Sequence, residues 1–151
     1  MLLPIGALFA DFDPVQVHAL LGIVGVAASA WAADWFAQSL GATRPWSMIA
    51  GFTFGLSGLA ATALLEGHVY HVLNPWMPLF AGFWWRTCGP DPTRRDALLS
   101  AVCFSLTMLT TAYLGAATCL VAAGFLLGAH WRREAQWRLI GSSIVLMLPV
   151  V

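Results

Sequence analysis

The chain alternates between long apolar stretches and short polar segments that contain arginine. One apolar stretch runs from Pro45 to Trp85 and another from Asp96 to Trp131. As continuous helix they would extend about 60 Å and about 54 Å, whereas the hydrocarbon core of a membrane is about 30 Å thick. Each stretch therefore predicts two membrane crossings.

Helix starts are indicated by a recurring pair, an N-capping residue followed by proline, at Asp13-Pro14, Asn74-Pro75 and Asp91-Pro92. The first helix is predicted from about Pro14 to Ser39, with a stop at Gly41. The second begins near Pro45 or Ser47. The last three are predicted from Pro92 to about Thr111, from about Ala116 to Ala129 after a turn at Gly115, and from about Glu134 to Val151.

The boundary between the second and third helices has two solutions, because no polar loop divides Met48 to Trp85. If the second helix ran to Leu73, a third helix from Pro75 to Trp85 would be about 16 Å long and too short to span. A turn near Glu66-Gly67 instead gives two crossings of similar length, the second kinked by Pro75 and Pro78. We expect this second solution.

Composition indicates the same class of protein. The chain is 60% hydrophobic and 9% charged, far from the usual balance of soluble domains. Runs such as Leu20 to Ala33 are apolar at odd and even positions alike, unlike barrel strands. We predict an all-α, polytopic transmembrane bundle of about six helices in one integral membrane domain, residues 1–151. The alternative has five crossings and a re-entrant or half-helix at 75–86.

All seven positive side chains are arginines, and they follow predicted helices 1, 3 and 5. They are Arg44, then Arg86, Arg94 and Arg95, then Arg132, Arg133 and Arg138. The positive-inside rule places these loops in the cytoplasm and both termini outside. Six tryptophans are expected to form an interfacial belt on the arginine side: Trp35, Trp46, Trp84, Trp85, Trp131 and Trp137.

Several sequence features bear on partners. The net charge is zero and no basic run exceeds two residues, which excludes a nucleic-acid footprint. The lipid bilayer is the expected surrounding. Gly51-x-x-x-Gly55 and Gly124-x-x-x-Gly128 predict close helix contacts, either within the chain, in self-association or with other membrane subunits. Three cysteines, Cys88, Cys103 and Cys119, are interpreted as small core residues.

The segment E66-G-H-V-Y-H71 is the strongest candidate site. His68 and His71 are three residues apart on one helix face, a spacing that suits two imidazoles on one metal. His18 lies near the same outer membrane surface in the predicted topology. Glu66 joins them only if the chain turns at Gly67. The predicted metal ligands are thus His18, Glu66, His68 and His71, and His18 and His71 could hold a haem or a chlorophyll-type pigment.

This arrangement superficially resembles the membrane hydrolases of the alkaline ceramidase and adiponectin-receptor type, which hold zinc with three histidines. Those proteins have seven helices and an H-x-x-x-H pair late in the chain. Here the pair is H-x-x-H and lies in the middle, so the resemblance supplies only a reaction class.

Asp34 is a second candidate, an acid about one turn inside the arginine-side end of the first helix. An acid at that depth is costly unless it is paired or faces a cavity. It is interpreted as an interfacial acid paired with an arginine, or as a group that carries protons or cations.

These features predict a non-catalytic subunit or accessory protein of a membrane complex, with a haem, pigment or transition metal at the histidine cluster. One alternative is a metal-dependent membrane hydrolase, in which the metal lowers the pKa of a bound water. Another is a small transporter or proton carrier that uses Asp34.

Overall fold

The computed structural model describes residues 13–57, 60–61, 66, 74–110, 112–132 and 137–147. Over these residues the chain forms six helices and no strand, which confirms the all-α prediction. The helices are α1 (Pro14–Ser39), α2 (Arg44–Gly55), α3 (Trp76–Thr87), α4 (Arg94–Thr110), α5 (Ala112–Arg132) and α6 (Trp137–Met147).

Two described helices are long and apolar enough to cross a membrane, namely α1 and the Tyr113–His130 part of α5. They lend weak support to membrane association. By contrast α2 and α3 contain 12 residues each. Such helices are about 18 Å long, well short of a hydrocarbon core of about 30 Å. Six full crossings therefore remain a prediction.

Helix α1 matches its predicted bounds. The Asp13 carboxylate accepts a hydrogen bond from the backbone N–H of Val15 at 3.0 Å, and Pro14 occupies the first helical position. Gly41 follows the helix with a φ of 91°, a backbone conformation in which a residue without a Cβ atom avoids strain. Local capping chemistry thus determines both ends.

Helix α2 begins at Arg44 and ends at Gly55, so a continuous helix to the Glu66-Gly67 turn is wrong. The chain leaves helical geometry at Leu56 and Ser57. The Ser57 hydroxyl then accepts a hydrogen bond from the backbone N–H of Ala60 at 3.4 Å, as an N-cap does. Glu66 does lie in a turn, as predicted, whereas Gly67 is outside the described residues.

Helix α3 begins at Trp76, after the non-helical residues Asn74 and Pro75. The expected kinked crossing through Pro75 is therefore wrong. Pro78 fits in the first turn, where its missing N–H would have no helical partner. The length of α3 agrees with the alternative of a half-helix at 75–86.

Two further helix starts differ from the predictions. Helix α4 begins at Arg94, not Pro92, because Thr93 acts as its N-cap residue and hydrogen-bonds to Asp96. The Thr93 hydroxyl donates to the Asp96 carboxylate at 2.6 Å and accepts from the Asp96 backbone N–H at 3.1 Å. Gly115 lies inside α5 and not in a turn, since α4 ends at Thr110 and α5 begins at Ala112. Its open side is covered by the Met108 side chain.

The core lies where α3 packs on α4, both meet α5, and α4 also meets α6. Trp84 is almost fully buried there and donates from its indole nitrogen to the carbonyl oxygen of Ala122 at 3.2 Å. Its assignment to an interfacial belt is therefore wrong. Cys88 and Cys103 are buried as predicted, but Cys119 is exposed on α5.

A buried serine pair joins α4 to α6. The hydroxyl oxygens of Ser100 and Ser143 lie 2.8 Å apart, and both hydroxyls also reach the carbonyl oxygen of Ala97, at 2.8 Å and 2.9 Å. Hydrogen bonds of this kind link helices where no water competes.

The α1–α2 hairpin docks on this core through α1 and α3. The ring of Trp35 lies 4.9 Å from the ring of Phe83, and the Arg86 guanidinium lies 4.9 Å from the Trp35 ring centre. The Trp35 ring also covers Gly82, whose missing side chain leaves room for it. Trp35 of the α1–α2 hairpin thus contacts three residues of α3 and links the hairpin to the core.

Candidate functional site

The predicted histidine site is only partly within the described residues. His18 is half-buried near the start of α1, and Glu66 is exposed in a turn. His68 and His71 lie outside the described residues. Among the residues that are described, no three His, Cys, Asp or Glu side chains come together as a metal site would require. The convergence of His18, Glu66, His68 and His71 stays a prediction.

Asp34 lies in the α1–α2 contact, five residues before the end of α1. One carboxylate oxygen, Oδ2, accepts a hydrogen bond from the Gln38 side-chain amide at 2.8 Å. The other, Oδ1, is buried and has no hydrogen-bond partner. A buried carboxylate oxygen without a partner is unfavourable, because the lost hydration is not replaced. The expected ion pair with an arginine is not what satisfies this oxygen.

Ser47 is the polar group of α2 that lies beside this carboxylate. It is fully buried, and its hydroxyl donates to the carbonyl oxygen of Arg44 at 3.0 Å. A serine has a single hydroxyl proton. Turning it toward Asp34 would break the bond to Arg44, so two acceptors compete for one donor.

The close approach of α1 and α2 depends on two glycines. A Cβ atom at Gly51 would lie 2.6 Å from the carbonyl oxygen of Ala30, and one at Gly55 would lie 2.7 Å from the Ala30 Cβ atom. The Gly51-x-x-x-Gly55 pattern is therefore used within the chain, against α1.

A cavity of about 170 Å³ opens beside Asp34, with Trp31, Met48 and Phe52 among its walls. A larger groove of about 520 Å³ continues from it along the hairpin, since both are lined by Ala30 and Phe52. The described residues that line the groove are apolar or glycine, and it reaches Ala19 on α1 and Leu56 just after α2. Among the described residues, Asp34 is therefore the charged group at the head of an apolar groove.

The groove follows helical periodicity on both sides. Its α1 wall includes Gly22, Val26 and Ala30, spaced four residues apart, and Asp34 is the next position of that series. Its α2 wall is the series Met48, Phe52 and Leu56. Residues four apart share one helix face. The acid and the apolar walls thus belong to one continuous surface.

A second cavity, of about 220 Å³, lies where three helix ends meet. Its walls include Ser39 from the end of α1, Cys88 after α3 and Ala129 near the end of α5. Arg86 also lines this cavity. The C-terminal parts of α1, α3 and α5 therefore lie near one another among the described residues.

The outward face of α5 is apolar and carries its own pair of glycines. Leu120 and Leu127 expose 77% and 67% of their surfaces. Cβ atoms at Gly124 or Gly128 would meet no atom within 4 Å. Unlike Gly51 and Gly55, these two glycines have open space beside them among the described residues.

The fold and these sites define an all-α protein with two candidate membrane-spanning helices. Searches against protein-family models, curated proteins and solved structures found no match.

Proposed function

We propose that the protein is a non-catalytic subunit or accessory protein of a larger membrane complex. The observation that carries the proposal is the face of α5, where Gly124 and Gly128 are open and flanked by exposed leucines. Glycines at this spacing let a second helix approach closely in lipid, where packing and not hydrophobicity drives association. The partner is a helix of another subunit or of a second copy.

The test is the native mass of the purified protein in mild detergent, compared with 16.2 kDa for one chain. Wild-type protein is expected to run as an assembly, and Gly124→Ile with Gly128→Ile as a monomer. Ala50→Ile is the matched control, because Ala50 is exposed on α2. A monomeric wild type, or equal loss of assembly in the control, would contradict the proposal.

The proposal includes a six-crossing topology, with arginine-rich loops in the cytoplasm and both termini outside. It is supported by one cavity that is lined from the C-terminal parts of α1, α3 and α5, because the predicted arginine-rich loops follow these parts of the chain. Single cysteines placed at Arg44, Arg95 and Arg133 of a cysteine-free chain should react with an impermeant reagent only after the cytoplasmic side is opened. Labelling of any of these positions from outside would contradict this topology.

A bound haem, pigment or transition metal at His18, His68 and His71 forms a further part of the proposal. Imidazole is a suitable ligand for each of these groups. An absorption spectrum and elemental analysis of the purified protein test it, with His18→Ala and His71→Ala as the variants. A colourless, metal-free sample would contradict the proposal that a cofactor is bound.

A second candidate function is a small carrier of protons or cations that uses Asp34. Two observations favour it: Asp34 lines a cavity, and its Oδ1 atom is buried without a hydrogen-bond partner. Intramembrane acids commonly lie on ion pathways. Proteoliposome flux that is unchanged by Asp34→Asn would eliminate this role.

A further inference from the structure

We infer that Asp34 and the groove along α1 and α2 form a binding site for a single-chain amphiphilic cation, a quaternary ammonium group with one alkyl tail. This inference rests on the second candidate function in part, because it names a ligand for the same acid. It requires binding only and does not require transport.

The cationic end is indicated by charge and by aromatic walls. Among the described residues, Asp34 is the charged side chain that lines the cavity, and its Oδ1 atom has no hydrogen-bond partner. Trp31 and Phe52 line the same cavity and expose 61% and 60% of their surfaces. Aromatic faces attract quaternary ammonium ions, and the negative charge of the carboxylate adds to this attraction.

The geometry also favours a quaternary head over a metal ion or a primary amine. Oδ1 is buried, so it is not open to direct coordination, and Oδ2 is already occupied by Gln38. A metal ion requires several oxygen or nitrogen ligands. A quaternary ammonium group donates no hydrogen bond and needs only the nearby negative charge. Asp34 supplies that charge without changing its existing bond.

The tail is indicated by the shape and chemistry of the groove. From Asp34 to Ala19 the groove follows 15 residues of α1, about 22 Å at 1.5 Å per residue. Its walls are apolar throughout, and Ile23 and Leu56 each expose 68% of their surfaces. An alkyl chain matches this surface, whereas a compact cation would leave it empty.

The charge of Asp34 limits which ligands fit. An anionic head would be repelled by the carboxylate, whereas one positive charge at the end of an apolar chain matches one acid at the end of an apolar groove.

Binding is tested with tritiated dodecyltrimethylammonium and the full chain in nanodiscs of neutral phosphatidylcholine, with empty nanodiscs as the background. We expect saturable binding that Asp34→Asn weakens at least about tenfold, as loss of a charge interaction does. Asp13→Asn is the matched control. It removes an acid from the same helix and keeps a side chain able to cap, so it should leave binding unchanged.

A second variant tests the groove without touching the charge. Phe52→Ala removes an exposed aromatic side chain that lines the groove. The fold should therefore be retained, while binding of the probe weakens severalfold. Unchanged binding in both Asp34→Asn and Phe52→Ala would overturn the inference, and so would equal binding of dodecyl sulfate. A site filled by co-purified zwitterionic lipid that the probe does not displace would overturn it too. If binding depends on Asp34 but no ion flux is measured, the binding site is supported and only the carrier function is contradicted.

Discussion

Gly51 lies so close to Ala30 that a single added carbon would contact the neighbouring backbone, at 2.6 Å from the Ala30 carbonyl oxygen. Gly51→Ala is therefore expected to destabilise the protein by about 1–3 kcal/mol, because α2 must move away from α1. The measurement is the unfolding midpoint in detergent.

Gly141→Ala is the matched control, since a Cβ atom there meets nothing within 4 Å. The same substitution at this site should be neutral or stabilising by up to about 1 kcal/mol, because alanine favours helix. Equal effects of the two substitutions would show that the close approach at Gly51 is not needed.

The Ser100 and Ser143 hydroxyls are expected to act as one unit. Each serine retains a bond to the Ala97 carbonyl when the other is removed, so Ser100→Ala and Ser143→Ala should each cost about 1 kcal/mol. The double variant should cost less than the sum by about 0.5 kcal/mol. A double-mutant cycle of unfolding free energies measures this coupling. Strict additivity would contradict a shared network.

Trp84→Phe should destabilise the core by about 1–2 kcal/mol, because the Ala122 carbonyl loses its indole donor in a buried place. Trp46→Phe removes the same group from a side chain that is 69% exposed, so its effect should stay within about 0.5 kcal/mol. Thermal unfolding of the two variants compares them. A larger loss from Trp46→Phe than from Trp84→Phe would refute the buried position of Trp84.

Cys88 is expected to react slowly while the protein is folded. Burial raises the pKa of its thiol to about 11, and the thiolate is the reactive form. In a variant that keeps only Cys88, the alkylation rate should rise about tenfold per pH unit up to about pH 11, compared with about pH 8.5 for the unfolded chain. Because the raised pKa favours the protonated thiol in the fold, the free energy of unfolding should fall as pH rises through this range.

The control for Cys88 is the same variant unfolded in dodecyl sulfate. Iodoacetamide labelling at pH 8 should then be much faster than in the folded protein. Equal rates in the two states would show that the thiol is not buried.

Local chemistry allowed some of the fold to be predicted. Asp13, Pro14 and Gly41 determine the ends of α1 by capping and by one positive φ, and these signals depend only on neighbouring residues. The start of α4 also has a local signal, the Thr93-x-x-Asp96 pair, in which the Thr93 hydroxyl caps the helix. This cap outweighs the Asp91-Pro92 pair.

The remaining differences arise from contacts that are distant in sequence. Gly115 resembles a turn residue but lies inside α5, where Met108 packs against it, and Trp84 resembles an interfacial residue but is enclosed by α4 and α5. The depth of Asp34 in the sequence pattern is enough to mark it as an unusual acid. The groove beside Asp34 could not be predicted, because its α2 wall forms only when Gly51 and Gly55 allow α2 to approach α1 closely. The sequence does contain one sign of the groove, the four-residue spacing of Gly22, Val26, Ala30 and Asp34 on one face of α1.

Helical structure stops at Leu56 and Ser57, and α1 with α2 meets the remaining helices mainly around Trp35. The hairpin can therefore pair as soon as it leaves the ribosome, before α3 has emerged. Expressed together as two polypeptides, 1–66 and 67–151, the halves should find each other in the membrane and co-purify. Trp35→Ala should then separate them, although each half keeps its own internal contacts.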